Sequence, residues 1–332
     1  MEKDKGFSLK RKISFLILLG ILFVIIFFIS ISVGGKEYRI TEIINIIFGD
    51  GDDRNSLIIL NVRLPRIILA SFVGICLSLS GCILQSVMRN NLASPSTIGV
   101  TSGASFAGYI MLVAFPQFAK FLPIGTFMGA VLTTLFIYAL AYKEGVSPVK
   151  MILSGLAISA LLGAFNDVIK VFFSDNLPLA TGFLVGGLNG TTWANVKMIL
   201  PYAFIGIFAC FLVPQKMNIL MLGDEVASSL GLHTERFRMV LIIISSLLAG
   251  AAISVAGIIN FVGLIVPHIA RLLVGSDYRF LFPTSILLGG LMVLGCDTIG
   301  RVIILPAEMP VGIILSFIGA PFFLFLLRRS KY

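Results

Sequence analysis

Charge is scarce in this chain of 332 residues: Asp, Glu, Lys and Arg together make up 12% of it, against 58% hydrophobic residues and a mean hydropathy of +1.04. Soluble globular domains carry about 25% charged residues, so an ordinary water-soluble fold is excluded and lipid must cover much of the surface. Histidine is nearly absent, with only His233 and His268. No GxxxxGK[ST], HExxH or GxSxG pattern occurs. Without a P-loop the chain does not cradle nucleotide phosphates by itself, and an intramembrane enzyme has no visible catalytic set. The four cysteines (Cys76, Cys82, Cys210 and Cys296) lie in apolar stretches, with neither CxxC spacing nor a neighbouring histidine. They read as small core residues, and no metal site is expected. The net charge of +9 comes from short basic clusters beside apolar runs. Such clusters set orientation in a membrane, whereas a nucleic-acid partner would call for one continuous basic face.

What the chain does have is apolar length. A span needs about 20 apolar residues. Candidate spans fall at roughly 13–33, 58–82, 94–114, 121–142, 149–173, 196–214, 236–256, 259–274, 280–300 and 311–327. They predict an all-α, polytopic membrane protein of about ten transmembrane helices, one transmembrane domain over 1–332 with no appended soluble domain. The first run follows Lys10, Arg11 and Lys12 but has no small-x-small cleavage pattern after it, so it reads as a retained span rather than a signal peptide. With both termini cytoplasmic and residues 1–12 as a cytoplasmic tail, sixteen Lys and Arg fall inside and nine outside. Arg89, Lys143, Arg238 and Lys331 are among the first group, Lys36, Arg63, Arg66, Lys170 and Arg301 among the second, in the sense of the positive-inside rule.

Glycines spaced as GxxxG (Gly99 and Gly103, Gly125 and Gly129, Gly182 and Gly186, Gly186 and Gly190) predict close helix crossings in a packed bundle. The polar, glycine-rich stretch from Asn176 to Thr192 predicts a short re-entrant or interfacial helix, with Trp193 at the interface. Ionisable residues inside spans are few. Asp167 with Lys170, and Asp297 with Arg301, stand at helical spacing, which fits local structural ion pairs as well as functional sites. His268 beside Pro267 reads as packing at a proline break.

From Arg63-Leu-Pro-Arg66 onward a series of motifs stands in order: Gly81-Cys-Ile-Leu-Gln85, Arg89-Asn-Asn-Leu-Ala-Ser-Pro95, Leu222-Gly-Asp-Glu-Val-Ala-Ser-Ser-Leu-Gly231, Gly257 to Arg271, Glu308-Met-Pro-Val-Gly312 and Ile318-Gly-Ala-Pro-Phe-Phe323. In these the chain resembles the permease subunits of iron-siderophore, haem and cobalamin (type II) ABC importers over about residues 60–328. The resemblance implies a multi-pass subunit of the cell membrane that pairs with a second permease, identical or paralogous. It also implies two cytoplasmic ABC ATPases, which hold the ATP and Mg²⁺, and cargo received from an extracytoplasmic binding protein; this chain itself needs no cofactor. Residue by residue, it implies that the cytoplasmic loop 222–232 docks into the ATPase through Gly223, Asp224, Glu225, Ala227, Leu230 and Gly231. Ala227, Ser228 and Ser229 supply a small-residue face there. Arg63, Arg66 and Arg301 face outward to meet acidic residues of the binding protein, for which the arginine fork is suited. Asn90 and Leu92 form a gate, with Asn91 standing where the family usually has proline, which predicts a less rigid loop. The pathway lining is expected from the third, fifth, eighth and tenth spans. Iron(III)-siderophore is the default cargo, with haem or cobalamin as alternatives, and a nucleotide-independent secondary transporter is the rival of another class.

Overall fold

Runs this apolar satisfy their backbone groups internally as helix, because lipid offers no partner for a free N–H or C=O. The computed structural model describes residues 8–34, 37–48, 53–142 and 148–329; the tail before Ser8, and Lys36, Lys143 and Lys331 of the charge count, lie outside the described residues. The helices are α1 (Leu9–Ser32), α2 (Ile40–Phe48), α3 (Asn55–Val87), α4 (Val100–Ala114), α5 (Pro116–Ala141), α6 (Pro148–Phe172) and α7 (Leu177–Val185). They continue as α8 (Trp193–Leu212), α9 (Pro214–Leu220), α10 (Asp224–Ser229), α11 (Thr234–Ala256), α12 (Val262–Val274), α13 (Tyr278–Val302) and α14 (Val311–Arg329). Seven of them, α1, α3, α5, α6, α8, α11 and α13, are long and apolar enough to cross a membrane; α4, α12 and α14 are shorter apolar helices at the other expected spans.

Two of the short ones start later than the apolar runs predict. The run from 94 becomes helix only at Val100, since Pro95 and Gly99 (φ +77°) hold the chain in turns first. The run from 259 becomes helix only at Val262, after Gly257 (φ +71°) has ended α11 and Phe261 has taken φ +69°. Hydropathy counts side chains and is blind to both breaks. Non-helical backbone at this depth is tolerated where it is buried in protein or lines a cavity, and both segments do so.

α3 is the axis of the molecule. Of its most apolar stretch 89% is buried, against 11% for α1 and for α6, whose exposed leucines, isoleucines and phenylalanines face outward. α8, α11, α12 and α13 pack around α3, while α4 and α5 pair beside α11. The crossings are made by glycine. A methyl group at Gly74 would overlap the Gly289 carbonyl, and one at Gly81 the Gly263 carbonyl. The predicted pairs Gly99–Gly103 and Gly125–Gly129 supply Gly103 and Gly129, which meet across α4 and α5, whereas Gly182 and Gly190 face open space. α7, with Pro178 in its first turn, is the short helix predicted after Asn176. The Trp193 indole at the start of α8 donates to the Leu60 carbonyl (3.0 Å), and His268 packs edge-on against Phe322 of α14.

Candidate functional site

Functional residues gather in three places along the axis of α3. At one end, Pro65 has no N–H to donate, and the chain widens into a π-helical turn over Ile59–Arg63 just before it. Arg63 and Arg66 emerge there, beside Arg301 and Asp297 from α13. All three guanidiniums turn inward, with Arg63 7%, Arg66 9% and Arg301 4% exposed. Arg66 forks onto Asp297 (Nη2 to Oδ1, 2.9 Å) and reaches Glu308 Oε2 with Nη1 (2.7 Å). Arg301 Nε lies 3.3 Å from Asp297 Oδ2, while its Nη2 donates to the Ser30 carbonyl and hydroxyl. Arg63 donates to the Ile31 and Ser32 carbonyls and stacks over Tyr38. The attraction has a plain source: the last carbonyls of α1 have no helical partner and carry the negative end of its dipole. The sequence expectation that these arginines face outward to a partner is therefore modified, because each is engaged inside the chain. Asp297–Arg301 pair as their spacing predicted, but Asp297 is shared with Arg66 from another helix. Asp167 and Lys170 pair locally (2.9 Å).

Midway lies a cavity of about 440 Å³, lined by Leu184 of α7, Ile258 and Asn260 of the link before α12, and Gly312, Ser316 and Phe317 of α14. Its wall carries no charged side chain among the described residues. Asn260 also lines a second, single-water-sized space of about 20 Å³, where Ser94, Pro95 and Ser96 approach Phe261 and Gly263. Phe261 keeps its positive φ with its ring against Gly319 of α14, where any larger residue would collide. A β-carbon at φ > 0 costs on the order of 1–3 kcal/mol, which marks this link as a shaped element. Asn260 and Phe261 were not singled out from sequence; a lone polar residue between two apolar runs was the available signal. The predicted third and fifth spans do not contribute to the larger cavity, whereas α7, the link and α14 do.

At the far end of α3, about 35 Å from Arg66 by helical rise, Arg89 enters a tight loop with φ +46°. Asn90 Oδ1 accepts from Leu92 N (2.9 Å), and the Asn90 carbonyl from Ala93 N. Asn91 is exposed and Leu92 half-buried. This closure spans Asn91, where the sequence predicts a less rigid loop. Close by, α10 is a single turn and a half between Gly223 (φ +116°) and Gly231 (φ +80°). Ala227 is fully buried against its own chain, so the expected face of Ala227, Ser228 and Ser229 loses its first member. The exposed apolar stripe is instead Leu222 (61% exposed) on the flank before Gly223, Val226 (45%) within α10, and Leu230 (59%) at its C-terminal end. Glu225 is exposed, and Asp224 is bridged by Arg89 and Arg238. α9 is fastened to α13 through Asn218, which donates to Asp277 Oδ1 (2.9 Å) and accepts from Tyr278 N. The Arg279 guanidinium, with that amide, holds the Asp277 carboxyl down at about 2.

Comparison with known proteins follows the same course. The profile of the FecCD transport family matches residues 22–329. The Fe(3+)-citrate import system permease protein YfmE of Bacillus subtilis is 37% identical over 321 residues, 96% of each chain. The cobalamin import system permease protein BtuC of Halobacterium salinarum is 40% identical over 277 residues, 83% of this chain and 74% of that one. A solved ABC transporter of the metal-chelate type, in an inward-facing conformation, superposes with a TM-score of 0.84 at 29% identity, covering 96% of this chain and 99% of its own.

Proposed function

Because this chain belongs to the FecCD transport family, the membrane permease subunits of ABC importers, we propose that it moves iron(III)-siderophore complexes across the cell membrane as half of a pathway. It is a multi-pass protein of that membrane, and the nucleotide-independent carrier gives way to an ABC permease. The observation that carries the cargo class is the uncharged wall of the 440 Å³ cavity, on which Asn260 and Ser316 are the polar side chains. A bulky chelate passes such a wall because no strong fixed ligand traps it. Phe317 of its wall is 73% exposed, and in this reading a second permease subunit, a copy or a paralogue, covers it and completes the pathway.

Energy in this reading comes from two cytoplasmic ABC ATPases, which hold the ATP and Mg²⁺; this chain, one permease domain, contributes no nucleotide site. The ATPase docks on α10 and its flanks, with Leu222, Val226 and Leu230 as its apolar contacts, Glu225 at the rim, and Gly223 and Gly231 setting the turns. Asp224 and Ala227 serve from the inner side. Asn90 and Leu92 gate the cytoplasmic exit. The binding protein meets the other end, where Arg63, Arg66 and Arg301 shape the surface and Glu308 is the half-exposed member of their network; a direct contact with its carboxylates exchanges one of the internal partners of these arginines. Alternating access then rocks the two permease halves about the pathway.

Cobalamin is the second reading, favoured by the 40% identity to a permease named for it. Uptake in a strain lacking its own chelate importers separates the two. Cells given this chain with its ATPase and binding protein take up ⁵⁵Fe-hydroxamate or ⁵⁵Fe-citrate and leave labelled cobalamin outside. Uptake of cobalamin alone overturns the siderophore assignment.

A further inference from the structure

Asp224 stands where α10 meets the loop after α3. Its Oδ1 accepts from two arginines at once, Nη2 of Arg89 and Nη2 of Arg238 (2.7 Å). The two differ in kind. Arg238, in the second turn of α11, is 2% exposed; its Nη1 stands 3.8 Å from Glu235 Oε1 and its Nε has no acceptor among the described residues, so Asp224 is its near counter-ion. The buried guanidinium would be left without its near counter-ion if Asp224, itself 47% exposed, moved away, and so this bond resists breaking. Arg89 is one-third exposed and directly precedes Asn90 and Leu92. Its left-handed φ of +46° is unfavourable for a residue with a β-carbon, and its side chain is secured at Asp224 and at the Leu220 carbonyl (3.3 Å).

The backbone offers α10 little other purchase. It has six residues, glycines with positive φ at both flanks, and Ala227 as its one buried side chain. Leu220 and Met221 do touch the end of α3 through Arg89 and Ser86, but both precede the glycine hinge at 223. A push on α10 beyond this hinge, as at Val226, therefore reaches the loop after α3 through a side chain.

We propose that the Asp224 carboxylate is the joint that carries displacement of α10 into the gate loop, with Arg238 as its fixed bearing on α11 and Arg89 as its arm on the loop. The proposal rests on the reading of α10 as the ATPase-docking helix and of Asn90 and Leu92 as the gate, and makes Asp224, Arg89 and Arg238 positioning residues for transport.

The test places nitroxide labels at Asn91→Cys and Ser228→Cys, both exposed, in the full chain assembled with its ABC ATPase in liposomes; the four native cysteines are buried. Pulsed electron resonance then gives the loop-to-helix distance without nucleotide and after trapping with ATP and vanadate. With Arg89 present the two elements move together and the distance stays the same in both states. Arg89→Lys, which keeps a cation in reach, preserves this. Arg89→Gln severs the arm and leaves the Arg238 bearing intact, so trapping shifts the distance by about 2 Å or more, the scale of an element sliding against its neighbour. The joint is overturned if the distance changes on trapping with Arg89 in place, or if Arg89→Gln leaves it constant. Failure of the ATPase to bind the unmutated chain overturns the docking reading of α10 instead, and the joint with it.

Discussion

A guanidinium inside a membrane protein is stable only when its donors and its charge are met, and Arg66 meets both with one carboxylate from α13 and one from the loop after it. Asp297 is 1% exposed in its side chain. Arg66→Leu leaves that carboxylate with the more distant Arg301, and Asp297→Asn leaves Arg301 without its carboxylate and Arg66 with Glu308 alone; each is expected to cost about 3–5 kcal/mol, as for other broken buried pairs. The double variant costs less than the sum of the two, because each removes the other's orphan. Glu308→Gln, at a half-exposed position, changes stability by less than about 1 kcal/mol. Thermal unfolding of the detergent-solubilised chain checks all four. Asp277 adds a pH dependence. Held at about 2 against an ordinary 3.8 by Arg279 and Asn218, it contributes stability above the higher value that is lost as pH falls towards the lower. Asp277→Asn flattens the stability profile between about pH 4 and 2, and a profile unchanged by that substitution contradicts the hold of Arg279 and Asn218 on this carboxylate. The sequence showed part of this chemistry. Asp297 and Arg301 stand one helical turn apart and could be paired on paper, but Arg66 and Asp297 are 231 residues apart, and only the fold brings them together.

Among the elements, α10 was legible as a short helix between glycines with acidic residues in its first turn. Which side it presents was not, because small residues fit equally well inside and outside. The structure turns Ala227 in and Leu222, Val226 and Leu230 out. Replacing those three with serine is expected to lower ATPase association at least tenfold while leaving the unfolding temperature of the isolated chain unchanged, since they bury little within it. Co-purification on the affinity-tagged permease measures this, and undiminished association contradicts docking through the stripe. Long uniform spans such as α3, α11 and α13 were readable to within a few residues from hydropathy. The starts of α4 and α12 were not, because Gly99 and Phe261 interrupt apolar runs by backbone conformation. The crossings of α3 through Gly74 and Gly81 also escaped, since each glycine pairs with one far along the chain and not with one four residues away.

For the molecule as a whole, composition was enough to establish a membrane protein, and the ordered motifs pointed to the permease family that the comparisons bear out. Cargo was illegible, because relatives of similar identity are named for different chelates, Fe(3+)-citrate and cobalamin among them. The chain has exposed apolar residues around α10 at one end, an uncharged cavity in the middle and a braced arginine network at the other end. Together these describe a passage driven from outside the chain. Proteoliposomes holding the permease with its ABC ATPase and binding protein test this most directly, by accumulation of ⁵⁵Fe-siderophore with ATP inside or outside the vesicle relative to the ATPase. Accumulation is expected only when ATP is on the ATPase side, and vanadate abolishes it; accumulation that proceeds equally without ATP overturns the ATP-driven reading.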